Sequence, residues 1–134
     1  SELNKIKARH RDREVLKKAL IVIWPKPLIV AGPGTQFDEA LSILKVENIA
    51  KDAKMMWPKF SLEEAVRRDP DFIISGPSHS EAEQFKVSLK ENLAEINAVK
   101  DGRVYFVGDG LYRLGPRSIE GILEIERIIY DTAK

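Results

Sequence analysis

Chemistry in a chain of 134 residues without a single cysteine must come from elsewhere than thiols. That excludes disulfide frameworks, thiolate zinc sites and cysteine nucleophiles at once. The two histidines stand apart, His10 in a charged stretch and His79 in a loop, and no paired carboxylates or metal-ligand spacing accompany either. What remains is suited to binding rather than to bond-making. Three loops carry glycine with a few polar or aromatic groups: Ala31 to Gln36, with Gly32, Gly34 and Thr35; Gly76 to Ser80; and Gly108 to Gly115, with Asp109, Tyr112 and Arg113. Gly32-Pro33-Gly34-Thr35 lacks the Gly-Lys-Ser/Thr ending and the spacing of a phosphate cradle, so nucleotide binding is rejected. Trp57 lies in an irregular polar segment, where it serves either as an aromatic platform for a flat ligand or as a cover for the helix that follows. No cofactor and no metal site is expected.

These residues need elements to position them. Hydrophobic residues make up 43% and charged residues 32% of the chain, proportions of a globular domain of common size, and the net charge of +1 gives no footprint for nucleic acid. No apolar run approaches the roughly 20 residues that span a bilayer. Residues 1–18 carry seven basic and three acidic side chains with sparse apolar ones, which predicts a solvated helix. From Ala19 the pattern turns to Leu20-Ile21-Val22-Ile23-Trp24 and Pro27-Leu28-Ile29-Val30-Ala31, two strands parted by a turn. Thr35 with Asp38 can cap a helix whose apolar face is Phe37, Ala40, Leu41 and Leu44. Residues 45–60 show no clean period and read as a surface excursion.

Ser61-Leu62-Glu63-Glu64 is a capping box, in which Ser61 serves the amide of Glu64 and Glu64 reaches back, opening a short helix that Pro70 ends. Phe72-Ile73-Ile74-Ser75 reads as a buried parallel strand leading to a helix with Ala82, Phe85 and Leu89. Val104-Tyr105-Phe106-Val107 is a further strand. Pro116 sits near the start of a final helix with Ile119, Ile122, Leu123, Ile125, Ile128 and Ile129 inward. Alternating strands and helices make the class α/β: a three-layer lobe with a largely parallel central sheet flanked by helices. In such a sheet ligands bind beyond the carboxyl ends of the strands, where the three glycine-bearing loops emerge.

Six segments, in order, resemble the family of extracytoplasmic binding proteins that deliver cobalamin, haem and ferric siderophores to ABC importers. They are Pro27-Leu28-Ile29-Val30-Ala31-Gly32, Asn48-Ile49, Trp57-Pro58-Lys59-Phe60-Ser61-Leu62-Glu63, Pro70-Asp71-Phe72-Ile73-Ile74, Ala98 to Tyr105, and Gly115-Pro116-Arg117. The family commonly has Gly-Gly before Asn-Ile, where this chain has Lys45-Val46-Glu47. The resemblance implies that residues 1–19 are the end of a long inter-lobe helix and residues 20–134 the C-terminal lobe, with the first lobe missing. It implies a binding protein without catalysis, working in the periplasm or otherwise outside the cytoplasm, and membrane-anchored in its precursor; residues 1–5 contain no signal-peptide core. By the same resemblance Trp57 contacts the ligand, the loop Asp109 to Arg113 lines the cleft, and Glu63 pairs with arginines of the permease. Tyr112 would then ligate iron or stack on a macrocycle, and Arg113 would pair with carboxylates of haem or a siderophore. Two other expectations compete: a homodimer formed by domain swapping of the leading segment, without ligand, and an enzyme of chelatase-like architecture, which the scarcity of histidine disfavours.

Overall fold

The computed structural model describes residues 2–15, 17–25, 27–75, 82–106 and 119–131. The runs of β-branched residues become strands and the 3.6-residue patterns become helices. In chain order they are α1 (Glu2–His10), β1 (Lys17–Pro25), β2 (Leu28–Val30), α2 (Gln36–Ile43), β3 (Val46–Asn48), α3 (Leu62–Arg68), β4 (Phe72–Ser75), α4 (Ala82–Asn92), α5 (Asn97–Lys100), β5 (Val104–Phe106) and α6 (Ile119–Glu126), which runs on into a π-helical turn at Arg127–Asp131. The strand order is β2-β1-β4-β5, and β3 also pairs with β1. Pairings of β1 with β3, β1 with β4 and β4 with β5 are parallel, while β1 and β2 form an antiparallel hairpin.

Alternation along β1 and β4 sorts side chains to two faces, because successive residues of a strand point to opposite sides. Ala19, Ile21, Phe72 and Ile74 meet Ile6 of α1, Phe37, Ala40 and Leu41 of α2, and Ile122 and Ile125 of α6. Leu20, Val22 and Ile73 meet Ala65 of α3, Leu89 of α4 and Ala98 of α5. Helices therefore cover both faces, giving the expected three layers. Ser75, the polar member of the buried β4, donates its hydroxyl to Val22 O at 2.8 Å, so no polar atom there is stranded.

Several expectations are corrected. The leading helix stops at His10, and Lys17 and Lys18 already belong to β1. Nor is that helix uniformly solvated: Ile6 and His10, four residues apart and so on one face, are both buried against the rest of the same chain. Residues 46–48 are not surface excursion but β3, buried at Val46 and Asn48; three residues are too few to show a period of two. Where the family commonly has Gly-Gly, Lys45 takes a left-handed φ of 61°, so the turn survives without its glycine. The capping box is half made: Ser61 accepts from the Glu64 amide at 2.9 Å, but the Glu64 carboxylate is drawn to Arg67 and Arg68. Gly76 to Ser80 with His79, Val107, the loop Gly108 to Gly115 with Asp109, Tyr112 and Arg113, and Pro116 lie outside the described residues, as do the side chains of Ala82, Phe85 and Ile119.

Candidate ligand-binding face

The turn after β2 is built from its own polar groups. The Thr35 hydroxyl accepts from the Asp38 amide at 3.0 Å, capping α2, and donates to Gly32 O at 3.0 Å. Asp38 in turn accepts from the Gly34 amide and from Asn48 Nδ2, which also donates to Ala31 O at 3.0 Å. Gly34 has a φ of 85°, a conformation that a side chain penalises. Thr35 is buried and its hydroxyl is spent on this turn. Gly32, Gly34 and Thr35 thus act here as framework, and what they frame is the next segment of chain.

That segment, residues 54–60, forms a strap along β2. Pro58 O accepts from the Val30 amide at 3.2 Å, and the Phe60 amide donates to Leu28 O at 2.8 Å. Nearer the turn, the Gly32 amide donates to Met56 O at 2.7 Å. The approach is closer than any side chain at position 32 would allow: a Cβ there would lie 2.5 Å from Met55 O and 2.9 Å from Pro58 Cδ. Pressed against the turn in this way, the strap turns Met55, Met56 and Trp57 outward, 60%, 46% and 43% exposed. The Trp57 ring meets buried Phe37 edge-on, with centroids 6.1 Å apart. Its ring leans on α2, and nearly half of its surface faces solvent.

The strap lies across β2 from the carboxyl-terminal half of β1, the level at which β4 and β5 also finish, since Ser75 pairs with Val22 and Phe106 with Ser75. Register adds a row across this edge. Trp24 of β1 pairs with Ile29 of β2, and Ile29 bridges to Lys59 of the strap. Trp24 is 45% exposed. On this edge the sequence pointed to Trp57; the consecutive Met55 and Met56 were missed, although three apolar residues in a row between polar neighbours were a readable signal.

Past the strap, α3 begins. Glu64 is held by Arg67 and Arg68, whose hydrogen bonds keep its carboxyl below the usual range despite the opposing effect of desolvation. Arg68 also binds Asp52 at 2.8 Å and Ile49 O, tying the helix to the start of the excursion, and its bonds to Asp52 and Glu64 raise its proton affinity further. Glu63, one residue before, is exposed and has no ion pair among the described residues. Its charge sits in the first turn of a capped helix, favoured by the helix dipole and available to an outside group. Among the described residues no three His, Asp or Glu gather as metal ligands, and no helix is long and apolar enough to cross a membrane.

At the opposite end of the sheet a second joint holds α1 in place. Glu126 of α6 accepts from Arg9 through Nε at 3.1 Å and Nη2 at 2.9 Å, and meets His10 Nε2 at 2.6 Å. Burial alone would raise the Glu126 carboxyl; the hydrogen bonds from Arg9 and His10 outweigh it and lower it. His10 Nδ1 is buried without a hydrogen-bond partner among the described residues, and its ring packs on Tyr130 at 4.8 Å.

The sequence model of the periplasmic binding protein family matches residues 1–110. The chain belongs to that family. This periplasmic binding protein chain is 35% identical, over 131 residues, to the ABC transporter substrate-binding lipoprotein YvrC of Bacillus subtilis (strain 168), covering 96% of the chain and 40% of the relative. Among solved structures it is similar to a possible iron-binding (periplasmic solute-binding) protein of Staphylococcus epidermidis ATCC 12228, at 30% identity and a TM-score of 0.76, over 96% of this chain and 51% of that one. The haem-binding protein RhuT of Roseiflexus sp. RS-1 shares the fold at a TM-score of 0.79 and 23% identity, over 99% of this chain and 53% of that one. The periplasmic binding protein chain thus spans about half the length of its solved relatives and less of the curated one. Its family is one of solute-binding proteins, not of enzymes.

Proposed function

We propose that this chain is the C-terminal lobe of an extracytoplasmic receptor that delivers an iron chelate, haem or cobalamin to an ABC importer. The observation that carries the reading is the apolar trio Met55-Met56-Trp57, held open to solvent by a strap that the Gly32 turn grips at its main chain. A soluble domain seldom spends consecutive large apolar side chains on its surface without a partner to cover them. Trp57 supplies the ligand contact from this lobe, Gly32, Gly34 and Thr35 set the strap, and Asp109, Tyr112 and Arg113 line the same cleft. α1 (Glu2–His10) is the end of the inter-lobe helix, and the facing lobe closes over the ligand. Glu63 meets arginines of the permease, as its free first-turn carboxylate suits.

Tryptophan fluorescence tests this directly. Haemin, cyanocobalamin and a ferric trihydroxamate are titrated into this chain and into a form carrying the preceding lobe. Saturable quenching by one of them, lost in Trp57→Ala while Trp24 still emits, is the expected result. Absence of binding by all three ligands to both forms would refute the reading.

A further inference from the structure

Accepting that this face is the ligand site, its chemistry narrows the ligand class. Three properties coincide on the strap. The first is exposed apolar area: Trp57, braced edge-on by Phe37, and the two methionines beside it in sequence. Thioethers are polarisable and adapt to the face or edge of an aromatic ring. Met56 also lies over the turn, its Cγ 3.8 Å from where a Cβ of residue 34 would be, so the methionine is seated rather than splayed.

The second property is a pair of unused cations. Lys54 and Lys59 bracket the trio in sequence, both are exposed, and neither is ion-paired among the described residues. The neighbouring charges are already spoken for: Lys51 pairs with Glu47 at 3.6 Å, and Asp52 with Arg68. No acid occurs between residues 53 and 60, so the strap presents positive charge on both sides of an apolar centre. The third property is breadth. The cross-strand row Trp24, Ile29, Lys59 continues the surface over the hairpin and places a second half-exposed tryptophan at its far side.

We infer that the ligand of this face is a planar tetrapyrrole bearing carboxylates, its ring on Trp57 and the methionines and its carboxylates toward Lys54 and Lys59. A ligand of that class is apolar and flat in the middle and anionic at the rim, the pattern the strap presents in reverse. Cobalamin carries neutral amides where this surface offers cations. A ferric trihydroxamate has no flat apolar face to lay on Trp57. Lysine, a mobile point charge on a long stem, suits peripheral carboxylates that need no bidentate fork.

The test is a visible-absorbance titration with haemin, haemin dimethyl ester, cyanocobalamin and a ferric trihydroxamate, on this chain and on its two-lobed form. Haemin should bind most tightly. The Lys54→Ala/Lys59→Ala variant should weaken haemin by about twofold to fivefold per lysine, as for solvent-exposed ion pairs, while leaving the ester unaffected. Lys54→Arg/Lys59→Arg should restore the affinity. Circular dichroism of each variant checks that these exposed substitutions leave the fold intact. Equal affinity for haemin and its ester would overturn the inference. So would tighter, Trp57-dependent binding of cobalamin or the hydroxamate, but that outcome would leave the receptor reading standing. Binding of none of the four would remove both.

Discussion

Gly32→Ala puts the grip of the turn on the strap to the test. The added methyl would stand 2.5 Å from Met55 O, 2.9 Å from Pro58 Cδ and 3.2 Å from Met56 O. Two of these are backbone oxygens, so no side-chain rotation relieves them and the strap must move outward. Overpacking of this kind costs about 1–3 kcal/mol. Loss of the 2.7 Å bond from the Gly32 amide to Met56 O adds about 1 kcal/mol. Alanine restricts the unfolded chain and returns about 0.4–1 kcal/mol. The net is a destabilisation of about 1–3.6 kcal/mol, or roughly 4–13 °C in Tm for a domain of this size. Thermal unfolding by circular dichroism measures it, and emission in a Trp24→Phe background reports Trp57 alone. Gly102→Ala is the comparison, because Gly102 has a φ of 76° and open space around its Cβ direction; it should lose stability by about 1 kcal/mol from backbone strain and leave the Trp57 emission unchanged. A Gly32→Ala protein with wild-type Tm, or with unaltered Trp57 emission, would refute the close-approach argument.

Two further expectations concern the far end of the lobe. Because the folded-state Glu126 carboxyl is held below its ordinary value of 4.5, its contribution to stability is complete above that value and is lost as pH falls through the depressed range; Glu126→Gln should flatten the acid limb of Tm against pH, and parallel curves for the two proteins would contradict the assignment. Lys45 carries a left-handed φ of 61°, so Lys45→Gly should raise stability by about 0.5–1 kcal/mol, measured by urea unfolding. A loss of stability would show that the Lys45 side chain contributes more than its backbone strain removes.

Much of the architecture was legible because it rests on local rules. The unbroken apolar run Phe72-Ile73-Ile74 announced a strand covered on both faces, and Thr35 and Ser61 announced helix starts that the cap hydrogen bonds bear out. Elsewhere the deciding partner was remote. His10 looked like one more polar residue of a charged helix, since Glu126, which meets its Nε2, stands 116 residues away. The second half of the capping box failed because Arg67 and Arg68 compete for the Glu64 carboxylate more strongly than a neutral amide can. At the candidate face, the sequence showed a glycine at 32 and a tryptophan at 57 but not that one presses on the other. Trp57 stood out as an aromatic without an element to bury it; Met55 and Met56, equally without one, were passed over because methionine ordinarily fills gaps in cores.

The strap is fastened through backbone atoms: Pro58 O, the Phe60 amide and Met56 O are its anchors, and the glycine opposite contributes no side chain. Those main-chain bonds form whichever side chains residues 54–57 and 59 carry, provided position 32 stays bare. Such a design separates the question of whether the lobe folds from the question of what it recognises. Drift in five outward side chains could retune the lobe from one cargo to another while its core, sheet register and capped helices remain as they are.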